Sequence, residues 1–150
     1  MRQIKAAWTP AWDSGLASEG LPLDARIPQA KRPTVILVED DLSLLGAMTF
    51  ALQAEGFNVL AYSDGIDLLT AGRHGGAGCL VVDLKLPGLD GLALIAALRA
   101  RGETAPAILI TTDPDERTHR DAKAAGVQIV EKPLLDGKLR RLIDAAVNGS

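Results

Sequence analysis

The sequence is poor in aromatic residues, at 3%, and holds a single cysteine, Cys79. A core must therefore come from Val, Ile, Leu and Ala, and neither an internal disulfide nor a cysteine-based zinc cluster can form. Long apolar runs are missing as well. None approaches the ~18 residues that mark a membrane span, and the N-terminus lacks the apolar stretch of a secretory signal. The expectation is a soluble cytoplasmic protein without membrane contact. An excess of positive charge is also lacking: 16 Lys and Arg stand against 19 Asp and Glu, a net charge of −3. That balance argues against a protein that coats nucleic-acid phosphates. What remains is an ordinary globular composition, 47% hydrophobic and 23% charged over 150 residues, enough for one domain with one core.

Residues 1–33 differ from the rest. They contain Pro10, Pro22, Pro28 and Pro33, with Gly15 and Gly20 between them, and show no sustained period of 2 or 3.6. Proline removes a backbone donor and blocks helix and sheet interiors, so this stretch reads as an N-terminal extension without its own core. Its charge is +2, which leaves −5 on residues 34–150. Trp8 and Trp12 in the extension are compatible with docking on the domain, docking on a partner, or no contact.

From Thr34 the texture changes. Val35-Ile36-Leu37-Val38 reads as a strand buried on both faces. Leu42, Leu45, Met48 (or Thr49) and Leu52 recur at helical spacing, with Asp41 as the cap and Gly56 as a stop. Phe57 to Tyr62 is a second strand. Ser63 is placed to cap a short helix running to about Arg73, and Gly72, Gly75, Gly76 and Gly78 then loosen the chain. Cys79 to Val82 is a third strand ending at Asp83. A loop with Pro87, Gly88, Asp90 and Gly91 precedes a helix from Leu92 to Arg101. Ala107 to Ile110 is a fourth strand, Asp115 to Ala125 a helix, and Val127 to Val130 a fifth strand. The last helix, Leu134 to Val147, carries Leu135, Leu139, Leu142, Ile143 and Ala146 as its stripe. Alternating strands and helices imply an α/β domain, a doubly wound parallel sheet of five strands with five helices.

In such a sheet, ligands bind beyond the carboxyl ends of the strands. Those ends are chemically coherent here. Strand one delivers Glu39, Asp40 and Asp41, strand three Asp83, strand four Thr111 and Thr112, and strand five Glu131, Lys132 and Pro133. Carboxylates gathered at one edge repel one another, and a hard divalent cation such as Mg²⁺ relieves this with oxygen ligands. No His or Cys cluster points to zinc. A carboxylate beside Mg²⁺ is also a nucleophile toward phosphorus. Phosphoryl transfer then needs positioning and charge neutralisation, for which a lysine and a hydroxyl are suited.

The segments VILVEDD (35–41), VVDLKLPGLDG (81–91), ILITT (108–112) and EKPL (131–134) each follow or end an apolar strand. On them, residues 34–148 resemble a receiver domain of two-component response regulators, of the single-domain, chemotaxis-regulator-like kind. The resemblance implies a flavodoxin-like fold with sheet order 2-1-3-4-5. It implies Asp83 as phosphoacceptor, Thr111 as the switch hydroxyl and Lys132 as the phosphoryl partner. It implies Mg²⁺ held by Glu39, Asp40, Asp83 and the backbone carbonyl of Lys85, and a cis bond before Pro133. The partners implied are a sensor histidine kinase or histidine phosphotransfer protein as donor, a downstream protein reading the helix 4–strand 5–helix 5 face, and in some members a second copy. The 17 residues after Pro133 are too few for an output domain, so none is expected. No enzymatic activity is expected beyond the domain's own phosphorylation and dephosphorylation.

Three features depart from the family. Ile129 stands where Tyr or Phe is usual, Thr112 replaces a small Ala or Gly, and the stretch from Gly126 to Lys132 is about one residue short. Two other readings stand beside the receiver. One is a phosphorylation-independent interaction module. The other is an aspartate-nucleophile phosphatase, which would need an acid two residues after the nucleophile, where Lys85 stands. Cys79 reads as a small buried hydrophobe, and His74 and His119 as ordinary surface or loop residues.

Overall fold

The computed structural model describes residues 32–72, 76–134 and 137–149. Most of the N-terminal extension, His74 and Leu135 lie outside the described residues. Ten elements alternate: β1 (Thr34–Val38), α1 (Leu42–Ala54), β2 (Asn58–Tyr62), α2 (Gly65–Thr70), β3 (Ala77–Asp83), α3 (Gly91–Ala100), β4 (Ala107–Thr111), α4 (Glu116–Ala124), β5 (Gln128–Glu131) and α5 (Lys138–Val147). The strands form one parallel sheet in the order β2-β1-β3-β4-β5. This is the expected doubly wound, flavodoxin-like fold.

Strand side chains alternate between two faces, and the core divides accordingly. Ile36, Val38, Leu80, Val82 and Leu109 pack on one side with Leu68, Leu94, Ile95, Leu98 and Ala122 from α2, α3 and α4. Val35, Leu37, Val81, Ile108, Ile110 and Val130 pack on the other with Leu45, Met48, Leu52 and Ile143 from α1 and α5. Strands sandwiched this way must be apolar on every residue, which is why β1, β3 and β4 read as continuous hydrophobic runs rather than alternating ones. Cys79 is fully buried within this core, and burial pushes its thiol up to about 12.

Aspartates start most of the helices. Asp41, Asp64, Asp90 and Asp115 each accept a backbone N–H three residues on, satisfying one of the donors that a helix N-terminus leaves open. Four sequence expectations are corrected. Asp64, not Ser63, caps α2, which ends at Thr70 rather than near Arg73; Ser63 is buried instead. Gly78 belongs to β3, not to the loop before it; a side chain there would press on Val147 Cγ1 at 3.0 Å. Leu42 faces outward, 58% exposed, so the buried stripe of α1 starts at Leu45. Finally, α5 begins at Lys138 rather than Leu134, behind Gly137 with φ 75°. The left-handed conformation of Gly137 breaks the helical path there.

Candidate functional site

Register alone brings the candidate residues together. Val38 pairs with Val82, so Glu39 and Asp83 are the next residues along adjacent strands. Asp83 in turn pairs with Ile110, one residue before Thr111. Thr111 pairs with Glu131, and the Lys132 N–H donates to the Thr111 carbonyl at 2.8 Å. Four strands thus deliver Glu39, Asp83, Thr111 and Lys132 to one edge of the sheet.

One carboxylate oxygen from each of Glu39, Asp40 and Asp83 lies within 4.8 Å of the others. Glu39 is fully buried and Asp83 is 4% exposed, whereas Asp40 is exposed, so the group opens to solvent on the Asp40 side. The Lys132 ammonium bridges the two buried acids, with Nζ 3.2 Å from Asp83 Oδ2 and 2.9 Å from Glu39 Oε1. The contact to Asp83 is a hydrogen bond. The contact to Glu39 Oε1 is an ion pair. Glu39 Oε2 accepts the Asp41 N–H at 3.1 Å, and Asp83 Oδ1 accepts the Lys85 N–H at 3.4 Å. The Lys132–Pro133 bond is cis.

Electrostatics follow from the crowding. Burial, together with the adjacent Asp83, pushes the Glu39 carboxyl from its ordinary 4.5 up to about 7; Lys132 and the Asp41 N–H oppose the rise. For Lys132, burial favours the neutral amine, but the carboxylates of Glu39 and Asp83 outweigh it and hold the ammonium above its ordinary range. Two buried carboxylates and one exposed one against a single cation leave the cluster net negative. An all-oxygen donor set with net negative charge suits a hard cation, and the three acids are grouped closely enough to hold a metal ion.

The end of β3 is itself held by a contact that sequence reading missed. Gly91, the first residue of α3, lies against the main chain of Asp83. A Cβ there would overlap the Asp83 carbonyl oxygen and sit 2.9 Å from Leu109 Cδ1. The Gly91 N–H donates to the Leu84 carbonyl at 2.8 Å, drawing the loop across the end of β3. Ordinarily, Gly→Ala in a helix stabilises. Here Gly91→Ala is expected to cost about 1–3 kcal/mol by overpacking, read as a lowered urea midpoint. A midpoint at or above that of the unaltered protein would contradict this contact.

The residues 35–144 match the family model of the response regulator receiver domain. The chain belongs to this family. The receiver is 30% identical over 114 residues to the transcriptional regulatory protein FixJ of Bradyrhizobium diazoefficiens, covering 75% of this chain and 56% of that protein. It is 33% identical over 114 residues to nodulation protein W of the same organism, covering 75% of this chain and 49% of that one. The chain therefore spans about half the length of the curated relatives it matches. Among solved structures, FixJ-N aligns with a TM-score of 0.71 at 27% identity, covering 80% of this chain and 97% of the other. The receiver domain of Francisella response regulator 1452 shares the fold, with a TM-score of 0.71 at 21% identity over 79% of this chain and 98% of that one. The chain therefore carries a response regulator receiver domain.

Of the remaining candidates, Thr111 is buried and its hydroxyl donates weakly, at 3.5 Å, to the Thr112 carbonyl rather than to a carboxylate. The receiver carries Thr112 exposed beyond the end of β4. Ile129, at the family's aromatic position, packs against the α2–α3–α4 core cluster. Lys85 and His119 are exposed. Asp113 adopts φ 50° in the loop after β4, a conformation that Asp tolerates better than most side chains.

Proposed function

We propose that Asp83 accepts a phosphoryl group from the phosphohistidine of a sensor histidine kinase or histidine phosphotransfer protein. The observation that carries this reading is the convergence of Asp83 with Glu39 and Asp40 within 4.8 Å and with Lys132 at 3.2 Å. An Asp83 carboxylate oxygen attacks phosphorus, the O–P bond forms as the P–N bond of the donor breaks, and the imidazole leaves. Glu39, Asp40, Asp83 and the Lys85 carbonyl are the residues that would hold Mg²⁺. When bound, Mg²⁺ supplies neutralising charge for the acids and the phosphoryl oxygens. Lys132 turns from the carboxylates to a phosphoryl oxygen as a point charge, and the Thr111 hydroxyl turns from Thr112 to donate to another. The domain's chemistry is confined to its own phosphorylation and the later hydrolysis of the acyl phosphate by water.

The reading extends to output. Residues 34–148 constitute the receiver, acting in the cytoplasm where a kinase can reach it; no described helix is long and apolar enough to cross a membrane. Phosphorylation moves Thr111 and Lys132, which end β4 and follow β5, and so shifts populations on the α4–β5–α5 face read by a downstream protein or a second copy. Ile129 has no hydroxyl to report this movement, so the signal passes through packing. The test is incubation with acetyl phosphate and Mg²⁺, followed by peptide mass analysis. The phosphoryl group is expected on the peptide containing Asp83, and on no peptide when Mg²⁺ is chelated. A phosphoryl group found on another side chain would overturn the assignment.

A further inference from the structure

The carboxylate cluster draws on four strands. The fifth, β2, ends at the same edge of the sheet, and the residue after its last, Tyr62, is Ser63. Val38 pairs with Tyr62, and the ladder runs one step further, because the Glu39 N–H donates to the Tyr62 carbonyl at 3.1 Å. In a parallel ladder that bond makes Ser63 the partner of Glu39. Partners on neighbouring strands, about 4.8 Å apart, carry their side chains on the same face of the sheet. The preceding pairs follow this rule: Leu37 and Ala61 lie in one half of the core, Val38 and Tyr62 in the other. Glu39 therefore stands between Asp83 on β3 and Ser63 beyond β2.

Ser63 is only 8% exposed, a costly place for a hydroxyl that serves no partner. Capping does not account for it, since Asp64 caps α2. The buried Thr49 hydroxyl, by contrast, is engaged within its own helix, donating to the Leu45 carbonyl at 2.7 Å. The neighbouring Glu39 carboxylate is fully buried and is met by the Lys132 ammonium at Oε1 and the Asp41 N–H at Oε2. A divalent cation held by Glu39 and Asp83 repels that ammonium, and a phosphoryl oxygen draws it further away. The carboxylate then loses its strongest donor while remaining buried, which is unfavourable unless another takes its place. We propose that the Ser63 hydroxyl is that donor, a positioning residue that orients the Glu39 carboxylate toward a hard divalent cation. The inference rests on Glu39 as a metal ligand, as in the proposed function. A serine suits the task, because its hydroxyl rotates to donate and adds no charge to the site. Hydrogen bonds to a ligating carboxylate fix its orientation and strengthen its hold on the metal.

Calorimetric titration of the full chain with Mg²⁺, without any phosphodonor, tests this directly. Ser63→Ala is expected to weaken Mg²⁺ binding about tenfold, while its urea midpoint in chelator stays near that of the unaltered protein. Ser63→Cys nearly keeps the volume of the side chain but replaces the hydroxyl with a weak donor. It is expected to weaken binding in the same way, which separates the hydrogen bond from packing. Mg²⁺ affinity unchanged in both variants would overturn the proposal and leave the metal site standing. A lowered midpoint in chelator with affinity unchanged would make Ser63 a packing residue and overturn it equally. An unaltered chain that binds no Mg²⁺ would overturn the metal site of the proposed function, and this inference with it.

Discussion

Asp83→Asn is expected to abolish phosphorylation by acetyl phosphate and, at the same time, to raise the stability of the metal-free protein. The amide cannot form an acyl phosphate, so the first effect is complete loss, read as the absence of any Mg²⁺-dependent phosphoryl incorporation. The second follows from the charge at the site. Glu39 and Asp83 are both buried against one ammonium, and removing one carboxylate relieves their mutual repulsion while Lys132 keeps Glu39 as its partner. A gain of about 1 kcal/mol in urea unfolding with chelator present is the expected size, equal to roughly one pKa unit of interaction. Added Mg²⁺ should then stabilise the variant less than the unaltered protein, because a ligand that binds the native state stabilises in proportion to its affinity. A variant less stable than its parent without metal would show that Asp83 is held by attraction to Lys132 more than it is repelled by Glu39.

The second large effect is a pH dependence set by Glu39. Its carboxyl ionises at about 7 in the folded protein against 4.5 ordinarily. Between these values the folded state binds more protons than the unfolded state, so rising pH favours unfolding. The stability tied to Glu39 is therefore fully present below pH 4.5 and is lost as pH rises through about 7. The upper bound on this loss is roughly 3 kcal/mol. Mg²⁺ held at this cluster would reverse the trend, since it would require the ionised carboxylate and compete with the proton. Urea midpoints with chelator are expected to fall between pH 5 and pH 8, the increment from Mg²⁺ to grow over the same range, and Glu39→Gln to flatten both curves. A metal-free midpoint that rises across this interval would reverse the sign and remove Glu39 as its source.

Both effects arise from residues that are unremarkable alone and become a site by register. The strands were legible because each of β1, β3 and β4 is covered on two faces and is therefore apolar throughout. Their carboxyl ends were legible because acids follow the apolar runs at once, as in Val38-Glu39-Asp40 and Val82-Asp83. Helix starts were less so. Ser63 and Asp64 are both good caps in isolation, and the buried position of Ser63 selected Asp64. Likewise the apolar run Leu134-Leu135 resembles the start of α5, yet the left-handed turn at Gly137 delays the helix to Lys138.

The chain's own chemistry determined the alternation of elements, the aliphatic core and the side chains brought to one edge of a parallel sheet, since these rest on short-range periodicity and strand direction. Packing between elements decided the rest: that Glu39 is wholly buried, that Lys132 bridges two acids, that Gly91 lies against the backbone of Asp83, and that Leu42 faces water. Each of these depends on distances between segments far apart in the chain, where a few tenths of an ångström decide whether a side chain fits, and no local pattern of residues encodes such distances.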